Sequence, residues 1–329
     1  MTGKAAQLPH IVLAARREAI PLAVAALRAG NLVGMPTETV YGLAADAADA
    51  TAVGAIFLAK GRPRFNPLIV HVVDRHAAGA VGVLAPAAER LAEAFWPGPL
   101  TLVVARQPAA PIAGIALAGL STVAIRVPAH PVARALLAAF SGPLVAPSAN
   151  RSGHVSATAA AHVVADLGAA VAVILDAGPT AIGIESTIVG LAGDRPILLR
   201  AGAVPRAAIE QVLGTRLTMA DSDRESPQAP GMLASHYAPA AMIRLEATSV
   251  RPGEALLAFG RTLPANAAAA VAVVNLSPTG NLAEAATNFF AALRTLDAQA
   301  ASIAVAPIPD EGLGEAINDR LRRAAAPRN

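Results

Sequence analysis

"ATAVGAIFLAKGRPRFNPLIVHVV", residues 50–73, carries the unit from which the fold is read. Residues 50–60 predict a helix that Gly61 closes, and "PLIVHVV" predicts a strand, so a proline-broken loop joins a helix to an apolar strand. That loop holds Lys60, Arg62 and Arg64 within five residues. The chain uses arginine 24 times and lysine only twice, at Lys4 and Lys60. A compact ammonium and a planar guanidinium do different work, so this lysine is not the default cation. Three cations on a stiffened loop, followed by Asn66 and His71, can hold a phosphate; the same residues also make a solvated basic turn. The stretch alone leaves both readings open.

Working outward, the same alternation recurs. "REAIPLAVAALRAG" predicts a helix closed by Gly30 and "NLVGM" a short strand. "PAAERLAEAF" predicts a helix with Pro86 in its first turn. "LTLVVA", "TVAIRV", "PLVA", "VAVILD", "STIVGL" and "PILLR" predict strands. "PVARALLAAFSG", "TAAAHVVADLG" and "PRAAIEQVLG" predict helices. The series predicts an α/β domain over residues 1–213, with a mixed rather than purely parallel sheet because strands cluster late. Residues 214–240, "GTRLTMADSDRESPQAPGMLASHYAPA", are polar and proline-bearing and read as a linker. Residues 241–329 return to strands ("AMIRLEA", "EALLAFG", "AAVAVVNL", "ASIAVAP") and helices ("NLAEAATNFFAALRTLDAQ", "GEAINDRLRRAAA"), a second, smaller α/β domain.

Composition narrows the chemistry. The 329 residues contain no cysteine, which excludes disulfides, thiolate nucleophiles and thiolate metal sites. Seven histidines are scattered without an HExxH pattern, so no zinc site is expected. Net charge is +3, compatible with an anionic ligand without demanding nucleic acid. The N-terminus lacks the pattern of a secretory signal. Nineteen uncharged residues between Arg106 and Arg126 are broken by Pro108, Pro111, Gly114 and Gly119, so no membrane span is expected. A soluble, cytoplasmic protein is the expectation.

Polar residues gather at strand ends. Thr37, Glu38, Thr39 and Tyr41 follow the "NLVGM" strand and can line a pocket or fill a turn. In "STVAIRVP", alternation puts Thr122, Ala124 and Arg126 on one face and Val123, Ile125 and Val127 on the other. A guanidinium in that apolar run needs an anion or a carboxylate if it is buried. Ser148 and Asn150 in "PLVAPSANRSG" are two apart and can face one ligand. Ser156 and Thr158 open the next helix, as a cap or an anion contact. Glu185, Ser186 and Thr187 enter one strand, and Arg200 ends another before a glycine turn. No Walker loop, no GxSxG elbow and no complete dinucleotide fingerprint is present. This set suits a polyphosphate and a small zwitterion, with charge and positioning in place of a protein nucleophile.

Six ordered stretches, "PTETVYGLAADA", "KGRPRFNPLIVHV", "WPGPLT", "TVAIRVPAHP", "APSANRSG" and "ESTIVGL", closely resemble the YrdC-like threonylcarbamoyl-AMP synthases over residues 10–212. "PGMLASHYAP" and the tail resemble the linker and extra domain of the family's long form. The resemblance implies a YrdC-like twisted mixed sheet with flanking helices, and a C-terminal Rossmann-like α/β domain. It implies a nucleotidyltransferase reaction: ATP, L-threonine and bicarbonate (or CO2) give threonylcarbamoyl-AMP and pyrophosphate. The threonine amine captures CO2 as a carbamate, whose oxygen attacks the α-phosphate in line. A separate transferase then moves the group onto adenosine of tRNA, and tRNA contact by this chain is weak at most. Magnesium is expected on the ATP phosphates, with no direct protein ligand.

Carried over by motif, Lys60, Arg62, Ser148 and Asn150 form the catalytic cluster at the nucleotide. Asn66, Thr122, Ser156 and Arg200 help hold ATP, and His236 or Tyr237 of the linker reaches over as a lid. Thr39, His71, Arg126, the Ala146 backbone and Ser186 surround threonine, with Arg126 facing its carboxylate. Two rivals differ in class. Carbamoyl-adenylate chemistry of the hydrogenase-maturation kind belongs to larger chains with cysteine-rich zinc segments. Binding of double-stranded RNA fits a basic concave surface, but aromatic stacking platforms are missing.

Overall fold

The computed structural model describes residues 10–219, 229–230 and 235–327. In chain order the first half runs β1 (His10–Leu13), α1 (Ala19–Arg28), β2 (Val33–Met35), β3 (Gly42–Asp46), α2 (Ala50–Lys60), β4 (Ile69–His71), α3 (Arg75–Val81) and α4 (Pro86–Phe95). Then come β5 (Leu100–Ala105), β6 (Thr122–Arg126), α5 (Pro131–Phe140), β7 (Leu144–Val145), α6 (Ala160–Leu167) and β8 (Val173–Asp176). β9 (Thr187–Gly190), β10 (Ile197–Arg200), α7 (Arg206–Leu213) and β11 (Thr218–Met219) complete it. The second unit holds β12 (Met242–Arg244), β13 (Ala255–Ala258), β14 (Val273–Asn275), α8 (Leu282–Asp297), β15 (Ser302–Val305) and α9 (Leu313–Ala325).

The opening unit folds as read. Asp49 caps α2 by accepting the N–H groups of Thr51 and Ala52, and Gly61 ends it in the left-handed region at φ 61°. Eleven strands form one mixed sheet in the order β1-β8-β2-β3-β7-β4-β6-β5-β9-β10-β11. β4 and β6 are parallel, while β7 pairs antiparallel with β4, and β5 with β6. The main core fills one face, with Val123, Ile125 and Val70 packing against Phe57, Leu91 and Trp96. The opposite face carries a smaller cluster in which Ile69, Ala124, Ile188 and Leu199 meet. The alternation read along "STVAIRVP" is therefore the division between core and functional face.

Three elements were not legible. β3 is made of glycine, leucine and two alanines, all buried, and ends on Asp46, so it has neither β-branched residues nor alternation. β1, an edge strand, and α3, seven residues with an internal glycine, give equally weak patterns. The linker read as 214–240 begins with an ordered piece, since β11 pairs with β10; residues 220–228 and 231–234 of it lie outside the described residues.

The second unit is a four-stranded, all-parallel sheet in the order β12-β15-β13-β14. It shares a core with the first: Val40, Val155 and Ile184 pack with Tyr237, Phe289, Phe290 and Leu293. Arg294 of α8 pairs with Asp166 at 2.7 Å. At Gly183 (φ 80°) a Cβ would stand 2.4 Å from the carbonyls of Ala286 and Thr287, so only glycine lets α8 approach this closely. The two units thus form a continuous interface beside the functional face. Among the described residues no helix is long and apolar enough to cross a membrane.

Candidate active site

β4 forms the floor of a cleft. Its register with β6 puts Ile69 beside Ala124 and His71 beside Arg126. His71 and Arg126 therefore stand side by side at the C-terminal ends of two parallel strands. Thr39, Arg62, His71, Arg126, Ala146, Ser148, Ser186, Arg200, His236 and Tyr237 all line this cleft.

The remaining residues expected at the site are not among those lining it, and most act through a neighbour. Lys60, 3% exposed, donates its ammonium to the carbonyls of Ser148 (2.6 Å) and Asn150. It thereby ties the end of α2 to the loop after β7, and burial drives its pKa well below the usual lysine value. Asn66 accepts from Arg62 at 2.7 Å, and its own side-chain NH2 is buried without a partner. Asn150 donates to the carbonyls of Arg151 and His154, while its side-chain oxygen is left unpaired. Ser156 donates to Glu185 at 2.5 Å. Thr122 stands at the start of β6, partly exposed.

Charge in the cleft divides into paired and unpaired groups. Arg126 meets Glu38 at 2.5 Å and also donates to Thr39 Oγ1 at 2.9 Å. Burial pushes the Glu38 carboxyl up, but the Arg126 charge and hydrogen bond, with the Ala129 N–H, bring it below its usual range. The carboxylate that the sequence demanded for Arg126 is thus Glu38. Glu185 is held by Arg320 of α9 at 3.1 Å. Arg62 and Arg200, each 7% exposed, are different. Arg62 donates only to Asn66 and to the Pro67 carbonyl, and Arg200 to the carbonyls of Ser186 and Pro230 and to Ser186 Oγ. Among the described residues neither has a carboxylate within ion-pair distance. Burial pushes Arg62 down to about 10 and Arg200 in the same direction. Two buried guanidiniums held only by neutral oxygens keep their charge available to an anion.

The polar neighbours are neutral. Burial above all, then Arg126, pushes His71 down to about 3. Its Nδ1 lies 3.2 Å from the Ile69 carbonyl, which puts the proton on Nδ1 and leaves Nε2 an acceptor. Burial, then Arg62, Lys60 and Arg200, holds His236 well below its usual value. The rings of His236 and Tyr237 meet at a tilt of 55° with centroids 4.0 Å apart, and Tyr237 packs on Phe290 at 5.7 Å. The linker pair therefore joins the cleft to the second unit.

Matches with known proteins can be set beside this geometry. Residues 25–202 match the family model described as "Telomere recombination", and residues 204–326 match "Threonylcarbamoyl-AMP synthase, C-terminal domain". The threonylcarbamoyl-AMP synthase of Bacillus subtilis (strain 168) is 40% identical, over 94% of this chain and 93% of its own. The chain belongs to the threonylcarbamoyl-AMP synthase family. The family's synthase from Pyrococcus abyssi is 39% identical over 93% of this chain and 94% of its own. A crystal structure of P. abyssi Sua5 complexed with L-threonine superposes with a TM-score of 0.87, covering 97% of this chain and 98% of that one at 36% identity. The fold expected from the family, a mixed sheet followed by a C-terminal α/β domain, is the fold found. An ATP-consuming nucleotidyltransferase that serves tRNA modification is the activity that goes with this family.

Glu38 and Glu185 sit in stretches the sequence flagged, yet their ion pairs were invisible there. Arg320 was missed outright. Its one signal is position: it falls on the stripe of Ile317, Leu321 and Ala324, the buried side of α9.

Proposed function

We propose that Arg62 and Arg200 bind the triphosphate of ATP at one end of the cleft while L-threonine occupies the Arg126–His71 end. The observation that carries this assignment is that, among the described residues, no carboxylate lies within ion-pair distance of Arg62 or Arg200, whereas Arg126 has Glu38 and Arg320 has Glu185 and Asp319. A tetra-anionic nucleotide gains most where the cations have no competing anion. Arg126 suits the carboxylate of a zwitterion instead: Glu38 and Thr39 fix its guanidinium in the wall of the cleft, and N–H groups remain on its terminal nitrogens. His71 Nε2 and the hydroxyls of Thr39 and Ser186 add neutral acceptors and donors. The P. abyssi structure complexed with L-threonine supports placing that amino acid in this fold.

The chemistry then follows from positioning. Threonine's neutral amine adds to CO2, forming an N–C bond and releasing one proton as the carbamate appears. A carbamate oxygen attacks the α-phosphorus; the bond from that phosphorus to the bridging oxygen breaks, and pyrophosphate leaves with the electron pair. Arg62 and Arg200 stabilise charge on the phosphates as it shifts, and the Lys60 clamp holds Ser148 and Asn150 against them. With its pKa near 3, His71 is a hydrogen-bond acceptor and not an effective general base at neutral pH, so the amine's proton goes to solvent or bicarbonate. Magnesium, which would supply charge neutralisation of the phosphates, is proposed to arrive as the ATP complex. Glu185, the carboxylate that lines the cleft, is engaged by Arg320 and Ser156, and Glu38 behind Arg126 is engaged by that guanidinium. The product is a mixed anhydride, fit for a separate transferase acting on tRNA in the cytoplasm.

Pyrophosphate release, measured with ATP and bicarbonate, tests the reading. L-threonine should stimulate it strongly, with Arg62→Ala and Arg200→Ala each raising the KM for ATP. Release indifferent to any amino acid would point instead to carbamoyl-adenylate chemistry.

A further inference from the structure

We infer that Arg320, a residue of the C-terminal unit, is a positioning residue of the active site: it cancels the charge of Glu185 in the cleft and seats Tyr237. The inference rests on the ATP-binding reading of that cleft. Glu185 lines the cleft together with Arg62 and Arg200. An uncancelled carboxylate there would repel a triphosphate. Its side-chain partners are Ser156, which donates to Oε1 at 2.5 Å, and Arg320, whose Nε donates to Oε2 at 3.1 Å. Arg320 is therefore the cation that makes this carboxylate tolerable beside phosphate-binding groups.

The rest of Arg320 is committed to the junction of the two units. It is fully buried, and among the described residues it is one of the largest side chains to be so. Its second nitrogen donates across the junction to the Ala201 carbonyl, next to Arg200, and at 3.2 Å to Ala316 in its own helix. Its third nitrogen is buried without a hydrogen-bond partner. The guanidinium carbon sits 5.5 Å from the centre of the Tyr237 ring, a cation–π contact. The nearby Asp319, 3.5 Å away, is also bound by Arg323 at 3.0 Å, so Glu185 is the carboxylate buried with Arg320. α9 thus delivers one charge to the wall of the cleft and one surface to the linker's aromatic pair. The second unit becomes part of the nucleotide site without lining it.

Charge, not mere packing, is the function assigned, and a charge series on the full chain separates them. ATP affinity is read by calorimetry, and folded fraction by thermal melting of the same samples. Arg320→Gln should weaken ATP binding about 10- to 100-fold, the effect of one uncancelled charge several ångströms from phosphates, and raise the KM for ATP more than it lowers kcat. Arg320→Lys should stay within a few fold of wild type. Glu185→Gln in the Arg320→Gln background should restore affinity. Glu185→Gln alone, the variant to rely on if Arg320→Gln does not fold, should bind ATP at least as tightly as wild type. Unchanged ATP affinity in folded Arg320→Gln, or weaker binding in folded Glu185→Gln, overturns the proposal. A wild-type chain that binds no ATP refutes the underlying reading first, and is told apart by that control.

Discussion

Arg126 and Glu38, 88 residues apart in the chain, meet at 2.5 Å at the amino-acid end of the cleft, and both are almost completely withdrawn from solvent. Removing one partner of such a pair leaves an uncompensated buried charge. Glu38→Gln should therefore cost about 3 kcal/mol of stability, and it should weaken threonine binding more than ATP binding. Because the Glu38 carboxyl is depressed below its ordinary 4.5 in the folded state, its stabilisation is present above that value and is lost as pH falls through the folded value. Melting curves of wild type and Glu38→Gln should differ most near neutrality and converge in acid. A constant difference at every pH would mean that the pair is not the cause.

Lys60 answers the question its rarity raises. Its ammonium fits between two carbonyls of the loop after β7, a buried place that suits a compact point charge better than a planar fork. Lys60→Ala should lower kcat/KM for ATP about 100-fold or more, and Lys60→Arg should be little better. Steady-state kinetics decide it, and full activity in Lys60→Arg would contradict the clamp.

His71 makes a prediction of opposite kind, an absence of titration. With a folded pKa near 3 against an ordinary 6.5, it stays neutral throughout the working range. Unfolding exposes a group that binds protons more readily, so its contribution to stability is present above 6.5 and lost as pH falls from there toward 3. The pH profile of kcat should keep its shape in His71→Gln between about pH 5 and 8, even if the rate falls. Loss of a limb of that profile would make His71 the proton acceptor after all.

Gly183 tests whether the second unit must sit where it does. A methyl group there meets two carbonyl oxygens of α8 at 2.4 Å, and the backbone is left-handed. Gly183→Ala should cost about 1–3 kcal/mol and should raise the KM for ATP by displacing α9 with α8. Unaltered ATP kinetics in a destabilised Gly183→Ala would show that the junction serves folding alone.

These cases also show where the sequence speaks and where it falls silent. The helix ending at Lys60, the turn at Gly61 and the strand to His71 were readable because capping, proline and apolar runs are local signals. The two faces of β6 were readable because alternation is local too. β3 was not, because a strand buried on both faces and built of alanine and glycine carries no period. The need for an anion at Arg126 could be stated, but not that Glu38 supplies it, since pairing across the sheet is set by topology. Arg320 looked like one basic residue among several in an amphipathic helix. Only the packing of α9 against the first unit gives it Glu185 as its partner.

The most direct measurement is of the product itself. Wild-type protein is incubated with ATP, L-threonine and 13C-bicarbonate, and the mixture is resolved by mass spectrometry. The account predicts a threonylcarbamoyl-adenylate carrying one 13C and formed in step with pyrophosphate, and it predicts that Arg62→Ala and Arg200→Ala greatly reduce both. AMP and pyrophosphate formed without 13C incorporation, or full product from the Arg200→Ala variant, would contradict it.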